Sequence, residues 1–170
     1  DELGEYIKVT KGDKETWIYV WVSSDGKDYE LTIVERTALK QEAAVDSEAM
    51  AGQIKLTGHV AVYGIYFDFD SYNLKPDSEP TLKAIAEMLR TNSSLRLYII
   101  GHTDMTGEVE YNIQLSTKRA EAVVHALVNE YGVEATRLKA RGVGPLCPVS
   151  SNQTEEGRKL NRRVELVEMQ

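Results

Sequence analysis

Strand-like and helix-like stretches alternate from Gly58 to the C-terminus, and this alternation limits the fold more than any other feature of the sequence. The strand-like runs are "HVAVYGIYFDF" (59–69), "SLRLYII" (94–100), "TRLKARGVG" (136–144) and "RRVELVEM" (162–169). Strands that alternate with helices in this way place the helices on a shared sheet. The pattern therefore predicts an α+β fold, an α/β sandwich with helices on one mixed sheet.

Two segments between these runs have helical periodicity. Their apolar residues are Leu82, Ile85, Ala86 and Leu89 in the first, and Ile113, Ala120, Val124, Leu127 and Tyr131 in the second. Pro76 or Pro80 would begin the first helix, because proline is tolerated in a first turn. Gly132 would end the second. The polar segment 149–161 predicts at most a short helix.

The N-terminal part has a different pattern, which is typical of a β-hairpin. Strand residues at 16–22 and 29–35 flank an Asp25-Gly26 turn. A hairpin alone is marginal in water, so we expect this one to pack on the main domain, on a neighbouring molecule or on other parts of a longer chain. Residues 37–56, rich in Ala and Glu, predict a short helix or helical linker. We therefore predict an N-terminal extension at 1–57 and a main domain at 58–170.

Charge and composition exclude several classes of protein. The chain has 27 acidic and 20 basic residues, a net charge of -7, which argues against a nucleic-acid-binding module because phosphate neutralisation needs a concentrated basic surface. The single Cys147 excludes an internal disulfide. The longest apolar runs are far shorter than the roughly 20 residues of a membrane helix.

The stretch "GHTDMTGEVEYNIQLSTKRA" (101–120) contains a candidate ligand site. Seven residues apart on one helix, Asn112 and Arg119 share a face beside the buried stripe, and the preceding loop brings Asp104 and Thr106 close. A carboxylate suits an ammonium group and a guanidinium suits a carboxylate. The Asp104 carboxylate and the Arg119 guanidinium together predict a receptor for the zwitterionic end of an amino acid. Spacing alone favours equally a structural role, in which Asp104 caps the helix or pairs with Arg119.

Other chemistry is not supported by the sequence. The three histidines, which lack metal-ligand spacing, are His59, His102 and His125. A triad of His102, Asp104 and Ser116 would lack the strained nucleophile turn that hydrolases use. Asp68 and Asp70 alternate along a strand end, so their side chains would point to opposite faces rather than act as paired acid and base. We expect no catalytic residue, metal or cofactor.

Four stretches in the same order resemble the OmpA-like peptidoglycan-binding family, which includes the C-terminal domain of OmpA, Pal and the periplasmic part of MotB. They are "IYFDFDSYNLKP" (65–76), "GHTDMTGEVEYNIQLSTKRAEAVVHAL" (101–127), "RLKARGVG" (137–144) and "NQTEEGRKLNRRVELV" (152–167). The resemblance runs from about Gly58 to the C-terminus. It implies a βαβαβ-β mixed sheet and a non-catalytic periplasmic domain, associated with the outer membrane, that binds the diaminopimelate residue of peptidoglycan stem peptides.

The resemblance also implies roles for individual residues. Asp104 and Arg119 would hold the amino and carboxylate groups of diaminopimelate. The other residues of the implied site are Thr106, Asn112, Leu115, Asp70 and Arg162. Arg158 and Asn161 would fix the last loop. Two alternatives remain at this point: an envelope protein-interaction domain without ligand binding, and an enzyme that cleaves peptidoglycan.

Overall fold

A computed structural model describes residues 3–11, 14–37 and 46–169, which divide into two units, one within 1–41 and the other within 42–170. The first unit is a three-stranded antiparallel sheet in the order β1-β2-β3. Its strands are β1 (Leu3–Lys11), β2 (Lys14–Val22) and β3 (Tyr29–Thr37). The predicted hairpin is confirmed as β2 and β3. The sequence interpretation missed β1, which pairs with β2 along its whole length.

The second unit contains the predicted mixed sheet, in the order β4-β7-β5-β6. Its helices and strands are α1 (Ser47–Thr57), β4 (His59–Val62), α2 (Glu79–Thr91), β5 (Leu97–His102), α3 (Val109–Asn129), β6 (Leu138–Gly144), α4 (Glu155–Asn161) and β7 (Val164–Glu168). Strands β5 and β6 are parallel, whereas β7 is antiparallel to both β4 and β5. Short 3-10 helices precede α2 and β6, at Pro76–Ser78 and Ala135–Arg137. The α+β class and the element order are confirmed.

Helix α2 packs into the core as its periodicity predicts. Leu82, Ile85 and Leu89 are buried, and Ala86 is half-buried against them. Helix α1 contributes Met50 and Ile54 to the same core, so it packs within the second unit. The helix predicted in 37–56 is therefore confirmed over its C-terminal part, and 38–45 lies outside the described residues.

The stretch 59–69 was expected to be a strand that ends in a turn, and the strand stops earlier than expected, at Val62, with 63–69 forming a loop after β4. The backbone of Tyr66 hydrogen-bonds to the hydroxyl of Ser78 rather than to a neighbouring strand. Tyr66 N donates to Ser78 Oγ at 2.8 Å, and Ser78 Oγ donates to Tyr66 O at 3.0 Å. Beyond it, Phe67 forms only a single bridge with Leu74. The apolar residues of this stretch thus extend into a loop, and Ser78, immediately before α2, fixes that loop.

Helix α3 lies on β5 and β6 at a distance that two glycines permit. A Cβ added at Gly101 would lie 2.2 Å from the backbone oxygen of Ser116, and one at Gly142 would lie 2.2 Å from the backbone nitrogen of Thr117. Of the predicted stripe, Ala120 and Leu127 are fully buried. The prediction was less accurate at the remaining positions. Ile113, Val124 and Tyr131 are only half-buried, and the buried residues include Leu115, Val123 and Ala126.

Candidate ligand-binding site

Hydrogen bonds bring three segments together around the first half of α3. The loop after β4 is joined to the helix by Tyr111, whose hydroxyl donates to Asp70 Oδ1 at 2.7 Å, and by Arg119, whose Nε donates to Ser71 O at 2.8 Å. The loop after β5, 103–108, leads directly into α3. Asp104 of that loop meets Arg162, the residue that follows α4. The segments that the sequence marked out separately therefore lie close together.

Asp104 is a largely buried carboxylate with both oxygens occupied. Oδ1 accepts from Thr106 N at 2.9 Å, Oδ2 accepts from Arg162 Nη1 at 2.6 Å, and the side chain is 12% exposed. Burial disfavours the charged form, but the hydrogen bonds from Arg162 and Thr106 together outweigh it and lower the pKa of Asp104. Asp104 does not cap the helix, because Glu108 occupies the N-cap position. Asp104 is therefore a desolvated carboxylate whose charged form is favoured by its hydrogen bonds.

Arg119 is a half-buried cation whose guanidinium is only partly used. Its Nε is taken by Ser71 O, and the guanidinium carbon lies 5.0 Å from the centroid of the Phe67 ring. The two terminal nitrogens form no hydrogen bond with any described residue. Burial lowers the pKa of Arg119, and the nearby Asp70 carboxylate opposes that effect. These nitrogens are the fork that could receive a carboxylate.

The alternative in which Asp104 pairs with Arg119 is wrong, because Asp104 pairs with Arg162. Arg119 is nevertheless near enough for the Asp104 charge to act on it. The two residues therefore present opposite charges that do not neutralise each other directly.

One stripe of α3 carries three of the predicted residues. Asn112, Leu115 and Arg119 are three or four positions apart and so lie on one helix face. Asn112 is 5% exposed, and its Nδ2 donates to Thr106 O at 2.8 Å, which fixes the loop that carries Asp104. Leu115 is buried beside it. The structure therefore gathers these side chains, and their role in ligand binding remains a prediction.

Asp70 stands in a left-handed backbone conformation, with φ of 50°. Its bond to Tyr111 ties the tip of the loop to α3 and raises the pKa of the Tyr111 phenol. Tyr111 was not identified from the sequence. The available signal in the sequence was its position immediately before Asn112. In the structure, half of the Tyr111 surface is exposed at the start of α3.

The last loop is fixed as predicted, through Asn161 and Arg158. Asn161 Oδ1 accepts from Val149 N and Ser150 N at 2.9 and 3.1 Å. Arg158 Nη1 donates to Asn152 O at 3.0 Å. Sequence reasoning missed Asn152, whose Oδ1 accepts from Met105 N at 3.0 Å and connects this loop to the one that carries Asp104. Nothing in the sequence distinguished Asn152 from its polar neighbours.

Two further properties bear on the chemistry of the described residues, 3–11, 14–37 and 46–169. They contain no group of three or more His, Cys, Asp or Glu side chains arranged to hold a metal ion. Their helices are too short or too polar for any of them to cross a membrane.

Comparison with proteins of known sequence shows similarity to an outer membrane porin and to a probable lipoprotein. The chain is 46% identical over 101 residues to outer membrane porin F of Pseudomonas aeruginosa, which covers 59% of the chain and 29% of the porin. It is 41% identical over 102 residues to the probable lipoprotein YiaD of Escherichia coli, covering 60% of the chain and 46% of YiaD. The chain thus spans less than half the length of these curated relatives.

Solved structures with the same fold include two from cell-envelope proteins. The peptidoglycan-associated lipoprotein of Burkholderia pseudomallei matches with a TM-score of 0.56 and 37% identity, over 62% of this chain and 88% of that one. The cell wall anchor of the T6SS from Pseudomonas aeruginosa matches with a TM-score of 0.56 and 27% identity, over 73% of this chain and 96% of that one. The OmpA family matches residues 66–162, which is more than half of the 170 residues, so this chain belongs to the OmpA family.

Proposed function

We propose that the second unit binds peptidoglycan non-covalently, through the diaminopimelate residue of its stem peptide, and so anchors an envelope protein to the cell wall. The observation that carries this proposal is the Arg119 fork, whose terminal nitrogens bond to none of the described residues and which lies within reach of the Asp104 charge. The similarity to a peptidoglycan-associated lipoprotein and to a cell wall anchor supports it. A periplasmic location at the outer membrane follows from this function.

The zwitterionic carbon of diaminopimelate fits the charges of the site. The ammonium group would bind Asp104, and the carboxylate would bind the terminal nitrogens of Arg119. Thr106, Asn112 and Leu115 would line the space between them, with Asp70 and Arg162 at its edges. A charge-assisted hydrogen bond contributes roughly 1.5 to 3 kcal/mol before ordering costs, so one site gives about millimolar to micromolar affinity. A polymer that repeats the epitope strengthens such binding through avidity.

Sedimentation with purified diaminopimelate-type sacculi tests the proposal. The wild-type protein should sediment with sacculi and release no soluble muropeptides, since we propose recognition without catalysis. Arg119→Ala and Asp104→Ala should each abolish sedimentation, and thermal unfolding curves should show that both variants are still folded. Arg90→Ala is the matched control, because Arg90 is an exposed arginine of α2 whose ion pair with Glu87 is local. Release of muropeptides would indicate an enzyme instead.

A second candidate is a protein-interaction domain that keeps the fold without binding the wall. The Asp104–Arg162 pair favours it, because that pair already satisfies the buried carboxylate without a ligand. Failure of the wild-type protein to sediment would support this candidate. Sedimentation that survives both Arg119→Ala and Asp104→Ala would instead show that the wall binds elsewhere on the protein.

A further inference from the structure

A closed ring of hydrogen bonds links Asp104 to α4 and to the loop before it. Its members are Arg162 Nη1 to Asp104 Oδ2 (2.6 Å), Arg162 Nη2 to Glu155 Oε1 (2.6 Å), Arg158 Nε to Glu155 Oε2 (2.8 Å), Arg158 Nη1 to Asn152 O (3.0 Å) and Met105 N to Asn152 Oδ1 (3.0 Å). Met105 follows Asp104 in the chain, which closes the ring. Four charged side chains in one ring constrain where the guanidinium of Arg162 can go.

Arg162 is shared between two carboxylates in different surroundings. The Asp104 side chain is 12% exposed, whereas that of Glu155 is 60% exposed and that of Arg162 is 39% exposed. A cation beside a carboxylate as desolvated as Asp104 stabilises its charged form. In the absence of a ligand, Arg162 is that cation.

Each oxygen of Asp104 already accepts one hydrogen bond, so a ligand ammonium would compete with Arg162 Nη1 for this carboxylate. On the basis of the function proposed above, we propose that Arg162 is an exchangeable internal cation: the ligand ammonium replaces it on Asp104, while Glu155 retains the guanidinium beside the site. Glu155 is then a positioning residue that acts through Arg162. Asp104 is never left without a counter-charge, in either the free or the loaded state.

Glu155 makes this exchange easier for two reasons. Its bond to Nη2 draws part of the positive charge of Arg162 away from Asp104, which weakens the pair that the ligand must break. Its own negative charge also favours a cation arriving at Asp104. Removing the charge of Glu155 should therefore strengthen the ion pair between Arg162 and Asp104 and weaken binding of an ammonium group.

The test compares Glu155→Gln with the wild-type protein in two measurements. The first is the dissociation constant for meso-diaminopimelate, followed by amide NMR shifts of the loop 103–108. The second is the pKa of Asp104, followed by the NMR shift of its carboxyl carbon in the free protein. Glu121→Gln is the control, because it removes one negative charge from the exposed face of α3.

Glu155→Gln should raise the dissociation constant about threefold, the size of an exposed charge interaction, and should lower the pKa of Asp104 further. Glu121→Gln should change neither. A ring with a purely structural role would give the opposite sign, because loss of the ring would loosen Arg162 and raise the pKa of Asp104. An unchanged pKa and affinity in Glu155→Gln would overturn the exchange alone. Failure of the wild-type protein to bind diaminopimelate would overturn the proposed function and the exchange with it.

Discussion

Asp104 is paired with Arg162, 58 positions later in the chain, with Oδ2 at 2.6 Å from Nη1. This pair joins the loop after β5 to the residue that follows α4, so the candidate site is completed only when the end of the chain has folded back. The acid of the site therefore has a structural partner. The cation of the site, Arg119, has two terminal nitrogens that form no hydrogen bond with the described residues.

The Asp104–Arg162 pair should contribute a measurable but modest part of the stability. Arg162 is more than a third exposed, so solvent screens the interaction, and we expect a coupling free energy of about 1 kcal/mol. A double-mutant cycle of Asp104→Asn and Arg162→Gln, measured by urea denaturation at pH 7, gives this value. Additive single and double variants would contradict the pairing, and Arg90→Gln with Glu87→Gln supplies an exposed pair for comparison.

Much of the fold was predictable because it depends on local periodicity. The faces of α2 and the strand β7 follow from patterns of 3.6 and 2 residues that packing preserves. The strand predicted within 59–69 is confirmed only over His59–Val62, because an apolar run does not show whether a strand or a side chain satisfies its backbone. Here Ser78 does so for Tyr66. Strand β1 was missed although Ile7 and Val9 alternate with polar residues.

Spacing within one element indicated that Asn112 and Arg119 share a helix face, and the structure agrees. Leu115, Asp70 and Arg162 entered the candidate site only through the family resemblance. The partner of Asp104 is a matter of tertiary structure, because it depends on where α4 ends relative to β5. The sequence offered Arg119 as the partner, because Arg119 lies on the helix face beside the buried stripe, and long-range packing selected Arg162.

Gly101 should be essential for seating α3 on the sheet. In Gly101→Ala the new Cβ would lie 2.2 Å from Ser116 O, a backbone atom that cannot rotate away, so the helix must shift. We expect a loss of about 2 to 3 kcal/mol in the free energy of unfolding, typical of overpacking, together with weaker binding to sacculi because α3 carries Arg119.

Gly52 is the matched control for Gly101. A Cβ at Gly52 meets nothing within 4 Å, and Gly52 lies inside α1, so Gly52→Ala should be neutral or stabilise the protein by up to about 1 kcal/mol. Equal effects of the two substitutions in urea denaturation would show that the close approach of α3 is not what Gly101 provides.

Arg137 should stabilise the protein without affecting the ligand site. Its guanidinium donates to the backbone oxygens of Leu89, Asn92 and Leu95 at 2.7 to 3.0 Å, which satisfies carbonyl groups at and after the end of α2. Arg137→Met keeps much of the apolar stem but removes these bonds, and we expect a loss of about 2 kcal/mol.

The control for Arg137 is Arg96→Met, because the exposed side chain of Arg96 makes one long hydrogen bond within the described residues, 3.4 Å to Thr136 O. Its stability should change by less than about 0.5 kcal/mol. Sedimentation with sacculi should be unchanged in both variants. A loss of binding in Arg137→Met with the fold intact would mean that the region around the end of α2 is coupled to the site.

Glu165 should make the stability depend on pH in the acid range. The side chain is 16% exposed. Its Oε1 accepts from Arg163 Nη2 at 2.6 Å, and His102 Nε2 lies 3.6 Å from Oε2, so the His102 contact is electrostatic rather than a hydrogen bond. His102 and Arg163 lower the pKa of Glu165 to about 2, from 4.5. A lowered folded-state pKa contributes stability that is fully present above the unfolded value and is lost as pH falls from about 4.5 towards 2.

This contribution is at most about 3 kcal/mol, from 1.36 kcal/mol per pKa unit, because the contact with His102, the largest cause of the shift, is longer than a hydrogen bond. Unfolding by urea at several pH values should show Glu165→Gln less stable than the wild-type protein at pH 7, with the difference shrinking between pH 4.5 and 2. Glu121→Gln, on the exposed face of α3, should follow the wild-type pH dependence. A difference between Glu165→Gln and wild type that stays constant from pH 7 to pH 2 would mean that the Glu165 carboxylate is not held ionised by Arg163 and His102, and that its contribution is packing alone.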